Sequence, residues 1–308
     1  GYQEVLYAIQ PHYQDFVQKA EQFNQTESNM PIRMGVGLAG MWYRFGKSGS
    51  LRIEAHAELG RDGRFKIYCS APDYGQGTNT AMAQIAAETL GVPRDQVDVI
   101  NADTALSPDS GIQGASRATY FVGNAVSQAV HVLKQAIFAT AAEMLDCPPS
   151  DLILEGKHVS CRREPSKTRL DLRGVAEEFE RMGKSRRVPG IFDLSPAFPE
   201  DSRPEYIPLF VTGAQVAEVI VNTRTGEVSV PRVAAAHDVG RAINPIDAQG
   251  QIEGAVLMGL GTALMEEFLP GESSGFGDYY IPTTMSMPEI SVELVEVPSF
   301  SGPFGAKG

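Results

Sequence analysis

Residues 71–91 read A-P-D-Y-G-Q-G-T-N-T-A-M-A-Q-I-A-A-E-T-L-G, a loop that turns into a helix around two glycines. Gly75 and Gly77 admit backbone angles that a side chain forbids. Thr78 or Asn79 suits an N-cap, residues 80–90 are mostly strong helix formers, and Gly91 is a stop signal. A helix that opens on Gly-Gln-Gly presents free N–H groups and a partial positive charge, which makes an anion site, with phosphate the usual anion. The other reading is an ordinary loop-to-helix junction.

Working outward, strand-like runs at 52–59 and 65–70 precede this helix, joined by a hairpin turn at Gly60-Arg61-Asp62-Gly63, and a short strand at 96–101 follows it. The same order recurs from residue 214. Strands at 216–222 and 228–236 flank a turn, then come the loop H-D-V-G-R-A-I-N-P, the step Gly250-Gln251, a long apolar helix over 252–268 and a strand at 290–297. The repetition predicts an α+β fold of two pseudo-repeated lobes, each a mixed β-sheet with packed helices. A ligand held between the lobes would be faced by both Gln76 and Gln251. The expected boundaries are a helical segment and linker over 1–30, with Pro11 dividing the helix, a first lobe over 31–165, a connecting helix and long loop over 166–212, and a second lobe over 213–308, truncated at its C-terminus.

The 308 residues suffice for two domains, and 43% hydrophobic content is that of a globular protein. No apolar run approaches the ~20 residues of a membrane span, and residues 1–10 lack a signal peptide's basic start and apolar core. A net charge of −12, from 38 acidic against 26 basic residues, argues against nucleic-acid binding. The basic cluster at 184–187 reads as a solvated loop. The three cysteines, Cys69, Cys147 and Cys161, show no C-x-x-C spacing, which speaks against zinc or iron–sulfur ligation within this chain. An odd, sparse count points to a reducing, cytoplasmic setting. The histidines show no metal spacing, and His237 reads as structural. Gly35-x-Gly37-x-x-Gly40 matches a dinucleotide fingerprint, but no strand precedes it and no helix pattern follows, so it is read as a glycine-rich strand.

Residues 101–119, N-A-D-T-A-L-S-P-D-S-G-I-Q-G-A-S-R-A-T, are polar and rich in small side chains, and a long helix over 120–144 follows. Gly114, Ala115 and Ser116 leave room for something bulky beside the backbone. The chain ends S-G-P-F-G-A-K-G, the pattern of another functional loop.

Together these motifs are recognisable. R-M-G-V-G-L-A-G-M-W-Y, D-Y-G-Q-G-T-N-T-A-M-A-Q-I-A-A-E, A-D-T, G-A-S-R-A-T-Y-F-V-G-N-A-V, H-D-V-G-R-A-I-N-P, G-Q-I-E-G-A-V-L-M-G-L-G-T-A-L-M-E-E, D-Y-Y-I-P-T and G-P-F-G-A-K-G occur in that order. The chain resembles the C-terminal half of the molybdopterin-binding subunit of molybdenum hydroxylases, the xanthine dehydrogenase and aldehyde oxidoreductase family. The resemblance implies a molybdenum–molybdopterin cofactor, in its cytosine dinucleotide form, bound between the lobes. It places Gly75, Gln76, Gly77 and Thr78 at the cofactor's phosphate region, Gly114, Ala115, Ser116 and Arg117 near the metal and pterin, and Gln251 on the pterin. Gln113, Phe304, Gly305, Ala306 and Lys307 would lie near the active site. The reaction implied is insertion of water-derived oxygen at an electron-poor carbon of an aza-heterocycle or aldehyde.

The departures bear on the role. The family's base is a glutamate that would fall just past Gly308, and the glycine-rich F-G-G loop of the family's first half is missing. No catalytic residue is assigned in this chain. The resemblance implies a fragment, or a split subunit such as nicotinate dehydrogenase has. Its partners would be the remaining half of the subunit, iron–sulfur clusters and FAD on other domains or chains, and a small-molecule substrate, with neither nucleic acid nor membrane. The alternative is a non-catalytic assembly module of a larger oxidoreductase complex.

Overall fold

Val233, Ala234, Ala235 and Ala236 form a continuous run of buried residues, the mark of a strand covered on both faces. The computed structural model describes residues 1–47, 51–163, 169–197 and 206–308. In chain order it has α1 (Tyr2–Thr26), β1 (Ile32–Lys47), β2 (Arg52–Leu59), β3 (Phe65–Cys69), α2 (Thr78–Leu90), β4 (Val97–Asn101) and α3 (Gly123–Leu145). There follow β5 (Leu152–Glu155), β6 (His158–Cys161), β7 (Leu170–Asp171), α4 (Leu172–Arg181) and β8 (Arg187–Asp193). The last elements are β9 (Tyr206–Asn222), β10 (Val228–Asp238), α5 (Pro245–Leu264) and β11 (Glu289–Val295).

The chain forms two units, one of residues 1–43 and 210–297, the other of residues 44–209 and 298–308. In the first, the sheet order is β1-β9-β10-β11, with β9 antiparallel and β11 parallel to β10. Alternation along β10 separates two cores. Ala234 and Ala236 pack with Val5, Ile9 and Phe16 of α1, while Val233 and Ala235 pack with Val256 of α5. Helix α1 runs unbroken through Pro11. The missing hydrogen bond costs roughly 3 kcal/mol, but buried residues on both sides of it, Val5 and Ile9 before and Phe16 and Ala20 after, hold the two halves to one sheet face. The Gly35–Gly40 pattern lies inside β1 and no helix follows it, which removes the dinucleotide reading.

In the second unit the sheet order is β4-β3-β2-β8, with β3 and β8 antiparallel to β2 and β4 parallel to β3. This is the order of the first sheet reversed, so the repeated plan read from sequence is a repeated topology. Along β2, Ile53, Ala55, Ala57 and Leu59 are fully buried, and α3 packs on β2 and β8. The opposite face is polar. Tyr68 donates to Glu58 Oε2 at 2.7 Å, Arg187 stacks 3.8 Å from the Tyr68 ring, and Arg186 pairs with Glu58 at 3.4 Å. Burial, then the Glu58 carboxylate, push the Tyr68 phenol up to about 12.

Several expectations need correction. The divisions at 30, 165 and 212 do not follow the sheets, because strand pairing is non-local: β1 joins β9 across the sequence, and residues 298–308 return to the second unit. The long loop expected within 166–212 contains β8; residues 198–205 lie outside the described residues. The basic cluster is not merely solvated, since Arg186 and Arg187 are built into the polar sheet face. Cys147 and Cys161 form a disulfide that ties the end of α3 to β6, contrary to the reducing-compartment reading of the cysteine count. Cys69 is buried, and burial raises its thiol to about 12. No described helix is long and apolar enough to cross a membrane.

Gly190 of β8 lies where an added Cβ would run into the α3 backbone at Ala129 and Ala125. Gly190→Ala should therefore push α3 off the sheet and cost about 1–3 kcal/mol, read as a lower urea midpoint at unchanged slope.

Candidate functional site

The second unit carries most of the residues singled out from sequence. Parallel pairing aligns Cys69 with Asn101, so the loops after β3 and β4 leave the sheet from the same edge. In open α/β sheets that carboxyl edge is where ligands bind. The Asn101 side chain ties the two loops together. Its Nδ2 donates to the Ala71 carbonyl at 2.5 Å and to Asn79 Oδ1 at 2.8 Å, and its Oδ1 accepts from the Ala71 amide at 2.8 Å. Farther on, Ser70 donates through its amide to Ser110 Oγ at 3.2 Å and through its hydroxyl to the Pro108 carbonyl at 2.7 Å.

The Gly-Gln-Gly loop differs from its sequence reading. The N-cap of α2 is Gly77 at φ 81°, neither Thr78 nor Asn79. Its amides are not all free. The Asp73 carboxylate accepts from Gly75 at 3.0 Å, Gly77 at 3.3 Å and Asn79 at 2.9 Å. These bonds, Asn79's first, hold the Asp73 carboxyl below its ordinary value. The chain thus supplies its own anion to the helix end. Gln76 is engaged within the loop too: its amide donates to the Pro72 carbonyl and Thr78 Oγ1, both at 2.8 Å, and its carbonyl accepts from Tyr74 N–H at 2.9 Å. Gly75, at φ 122°, is exposed, and an added Cβ there would meet nothing within 4 Å.

The loop before α3 is strained and open. Ala115 and Ser116 both adopt left-handed angles, φ 51° and 58°, at roughly 1–2 kcal/mol each. Observed outliers of this kind cluster at ligand sites. Gln113 donates through Nε2 to the carbonyls of Ser110 at 3.1 Å and Gly111 at 3.2 Å. Its Oε1 is buried with no hydrogen-bond partner among the described residues, a deficit of about 1–3 kcal/mol. An added Cβ on Gly114 would meet only open space. Arg117 is fully buried, its guanidinium 4.1 Å from the Phe121 ring centre, and burial lowers its pKa. A π-helical turn over Ala118–Val122 leads into α3; such turns recur at functional sites.

The chain's last residues return to this turn. Asn124 Nδ2 donates to the carbonyls of Tyr120 at 2.8 Å and Ser301 at 2.9 Å, and the Tyr120 and Ser301 hydroxyls bond to each other. Gly123 makes room for the segment: an added Cβ would stand 2.8 Å from Ile85 Cδ1 and 3.1 Å from Pro303 Cγ. Phe304 takes a left-handed φ of 52°, and the Ser299 amide donates to the Gly305 carbonyl at 2.8 Å. Residues 73–79, 110–117 and 299–306 thus belong to one compact unit, with Ala306 buried and Lys307 partly exposed.

Gln251 belongs to the other unit. The sequence placed it at a helix start, but α5 begins six residues earlier, where Asn244 caps through Oδ1 to the Asp247 amide at 3.3 Å and Pro245 fills the first position. Asn-Pro is a strong start signal, and Gln251 is an exposed residue inside the helix. His237 is partly buried, which lowers its pKa, and lies 3.3 Å from Gln215 Nε2, as a structural histidine would. No group of three or more metal-ligating side chains exists among the described residues. Asp73, Asn101 and Asn124 were not singled out from sequence. Asp73 two positions before Gly75 was a readable turn signal; the partners of Asn101 and Asn124 are distant in sequence and left none.

A family model described as molybdopterin cofactor-binding domain matches residues 8–288. The chain is 29% identical, over 90% of its length and 34% of the relative's, to the 6-hydroxypseudooxynicotine dehydrogenase complex subunit gamma of Paenarthrobacter nicotinovorans. It is 30% identical to the xanthine dehydrogenase molybdenum-binding subunit of Escherichia coli O157:H7, over 90% of this chain and 37% of that one. In structure it is similar to the aldehyde oxidoreductase of Desulfovibrio desulfuricans, with a TM-score of 0.78, 26% identity, and coverage of 99% of this chain and 31% of the other. The chain therefore spans about a third of the length of the relatives it matches.

The Asp73 network makes a pH prediction. Because the folded-state pKa lies below the ordinary 3.8, its stabilisation is present above that value and lost as pH falls through the folded value. Asp73→Ala should remove about 1 kcal/mol at pH 7, as loss of a helix cap does, with a deficit that shrinks as the pH is taken down from the ordinary carboxylate range through the folded value and the carboxylate is protonated. Urea titrations across that range check this; equal deficits throughout would count against it.

Proposed function

The chain belongs to the molybdopterin cofactor-binding family, and on that premise we propose that it is part of the cofactor-binding subunit of a molybdenum hydroxylase. The reaction would insert water-derived oxygen at an electron-poor carbon of an aza-heterocycle or aldehyde. The observation that carries this reading is the loop at 113–117, with a buried unpaired acceptor, an open face at Gly114 and two strained residues side by side. A polar, planar heterocycle with N–H donors suits such a cradle: Gln113 Oε1 would accept from it, and Gly114 would let it reach the backbone. The donor set offers hydrogen bonds rather than metal ligands, which fits a metal carried by its own organic group.

When bound, that group would supply two-electron oxidation and reduction. This chain's residues would hold and shape. Ser116 and Ala115 present the backbone, Arg117 anchors the loop from below, and the segment at 304–307 is held by Tyr120, Asn124 and Ser301. At the Gly-Gln-Gly loop, Gln76 and Asp73 fix the backbone, and the bare face of Gly75 would meet the phosphate region of a cytosine dinucleotide form. In the other unit Gln251 is assigned to the pterin. The remainder of the subunit would supply the catalytic base, and iron–sulfur and FAD domains or chains would accept the electrons. The assembly-module alternative draws support from one observation, the internal satisfaction of Gln76.

Gly114→Val separates the readings. An added Cβ at this position meets nothing within 4 Å among the described residues, so the thermal midpoint should stay within about a degree. Molybdenum and pterin in the complex with the subunit's remainder should fall at least ~10-fold, since the side chain would take the cofactor's place. Metal and pterin analysis reads the result, and undiminished loading would favour the assembly module.

A further inference from the structure

On the polar face of the second unit's sheet, His56 is shared between two neighbours of opposite charge. Its Nε2 lies 2.7 Å from Glu54 Oε1, and its Nδ1 lies 2.9 Å from Arg187 Nε. A guanidinium only donates, so Nδ1 must accept and the ring proton sits on Nε2, facing the Glu54 carboxylate. His56 is thereby held as one neutral tautomer. The other arm of Arg187 leaves the sheet: its Nη2 donates to the Leu106 carbonyl at 2.5 Å, in the loop at 102–117 that carries Gln113–Arg117. The Tyr68 ring, 3.8 Å away, supports the guanidinium plane. The same loop meets β2 again where Ser110 Oγ donates to the Glu54 carbonyl at 3.3 Å. Along β2 the carboxylates Glu54 and Glu58 favour an imidazolium at His56, while Arg187, Arg186 just before it and Lys66 of β3 oppose one. Arg52 of β2 stands opposite Asp193 of β8 farther along the face, and the loop itself carries Asp103 and Asp109. Tyr68 stays neutral, its phenol lying near about 12.

We propose that Arg187 is a positioning residue for the loop at 102–117, and that neutral His56 holds it to that task. Taking up a proton turns His56 Nδ1 into a donor aimed at a cation. The Arg187–His56 bond is then replaced by repulsion, while the Glu54–His56 contact becomes an ion pair. Arg187 loses one of the two acceptors that set its plane, and the Leu106 carbonyl loses a fixed donor. The sign is definite: the tether is present while the imidazole is neutral and is lost as pH falls through the imidazole range, about pH 8 to 5. Farther along the same loop Ala115 and Ser116 keep left-handed angles, which persist only while the surroundings over-determine them. Loosening at Leu106 is thereby passed to the residues that form the cradle. The inference rests on the functional reading above for what the loop receives, and it adds a pH-dependent control of that loop.

The test takes the assembled protein as purified and follows hydrogen exchange of peptides within 102–117, expressed as protection factors so that the intrinsic pH dependence of exchange drops out. Between pH 8 and pH 5 the wild-type protection should fall about 10-fold, as loss of a hydrogen bond from a charged donor does. His56→Gln keeps an acceptor for Arg187 Nε and takes up no proton, so its protection should stay high and level across the range. Arg187→Lys keeps the charge without the planar fork, and should be as open at pH 8 as wild type is at pH 5. Molybdenum and pterin retained after dialysis at each pH should follow the same pattern. Level protection in the wild type overturns the proposal, and that series needs no substitution, so it decides even where a variant fails to fold. A His56→Gln protein that opens with falling pH as wild type does overturns it too, as does an Arg187→Lys loop that stays closed at pH 8. A loop that opens as expected while molybdenum and pterin stay fully bound upholds the tether and removes the functional reading of the loop.

Discussion

Parallel pairing of β4 on β3 is the constraint on which the rest of the site depends. A parallel neighbour cannot be reached by a tight turn, so the chain must cross over, and α2 is that crossover. The consequence is directional: both strands end at the same edge, and the loops that follow them must start side by side. The loops at 71–77 and 102–117 meet for this reason, and Asn101, the last residue of β4, is placed to bond across the gap to Ala71 and Asn79. An antiparallel partner would have sent the second loop to the opposite edge. The other unit repeats the device, with β11 parallel to β10 and α5 between them in sequence.

The loops divide the work of staying ordered in different ways. Residues 73–79 satisfy themselves, with one carboxylate and one amide side chain taking up most of the local hydrogen-bonding capacity. Such a loop is rigid before any ligand arrives, and it presents shape rather than free donors. Residues 113–117 do the reverse. They leave an acceptor unpaired and hold two non-glycine residues in left-handed angles, so several kcal/mol is stored there on the magnitudes of the individual effects. The surroundings over-determine that conformation: Arg117 is buried against Phe121 beneath it, and the π-helical turn that follows is packed between α2 and α3. Internal hydrogen bonding in the first loop and over-determined strain in the second have the same consequence, a backbone fixed in place.

Local chemistry made much of this legible in the sequence. Helix-forming composition, hairpin turns, the stop at Gly91 and the repeated order of elements are short-range signals, and they place α2, β2, β3 and the pair β9–β10. The failures share a cause. Pairing of β1 with β9, the return of residues 298–308, the strand at Arg187–Asp193 and the Cys147–Cys161 bond all join positions whose neighbours in sequence carry no hint of the partner. Residues of the site divide the same way: Gly114 and Ser116 stood out by composition, whereas Asn124 became visible only when Ser301 was seen against it. Gln251 was misplaced for a different reason. Asn244-Pro245 is a local start signal, and it was outweighed by the analogy with the first Gly-Gln step.

The two units solve one topology with unequal means. In the second, β2 buries one face only, against α3, and that helix has nine buried residues along its length, so its apolar stripe is fully used by its own unit. In the first, β10 is buried on both faces by small side chains, which lets α1 and α5 lie close to the sheet but gives each helix little apolar surface to bury. Alanine contributes a single methyl group, roughly 0.8 kcal/mol on the scale of a buried methylene, so the α5 side of that sheet depends on Val233, Val256 and the flanks of Ile252 and Leu260. A helix held so lightly, yet built almost wholly of apolar and small residues, has its stability only partly accounted for by the sheet beneath it. The sequence of α5 is thus better matched to a buried environment than to the one its own unit provides.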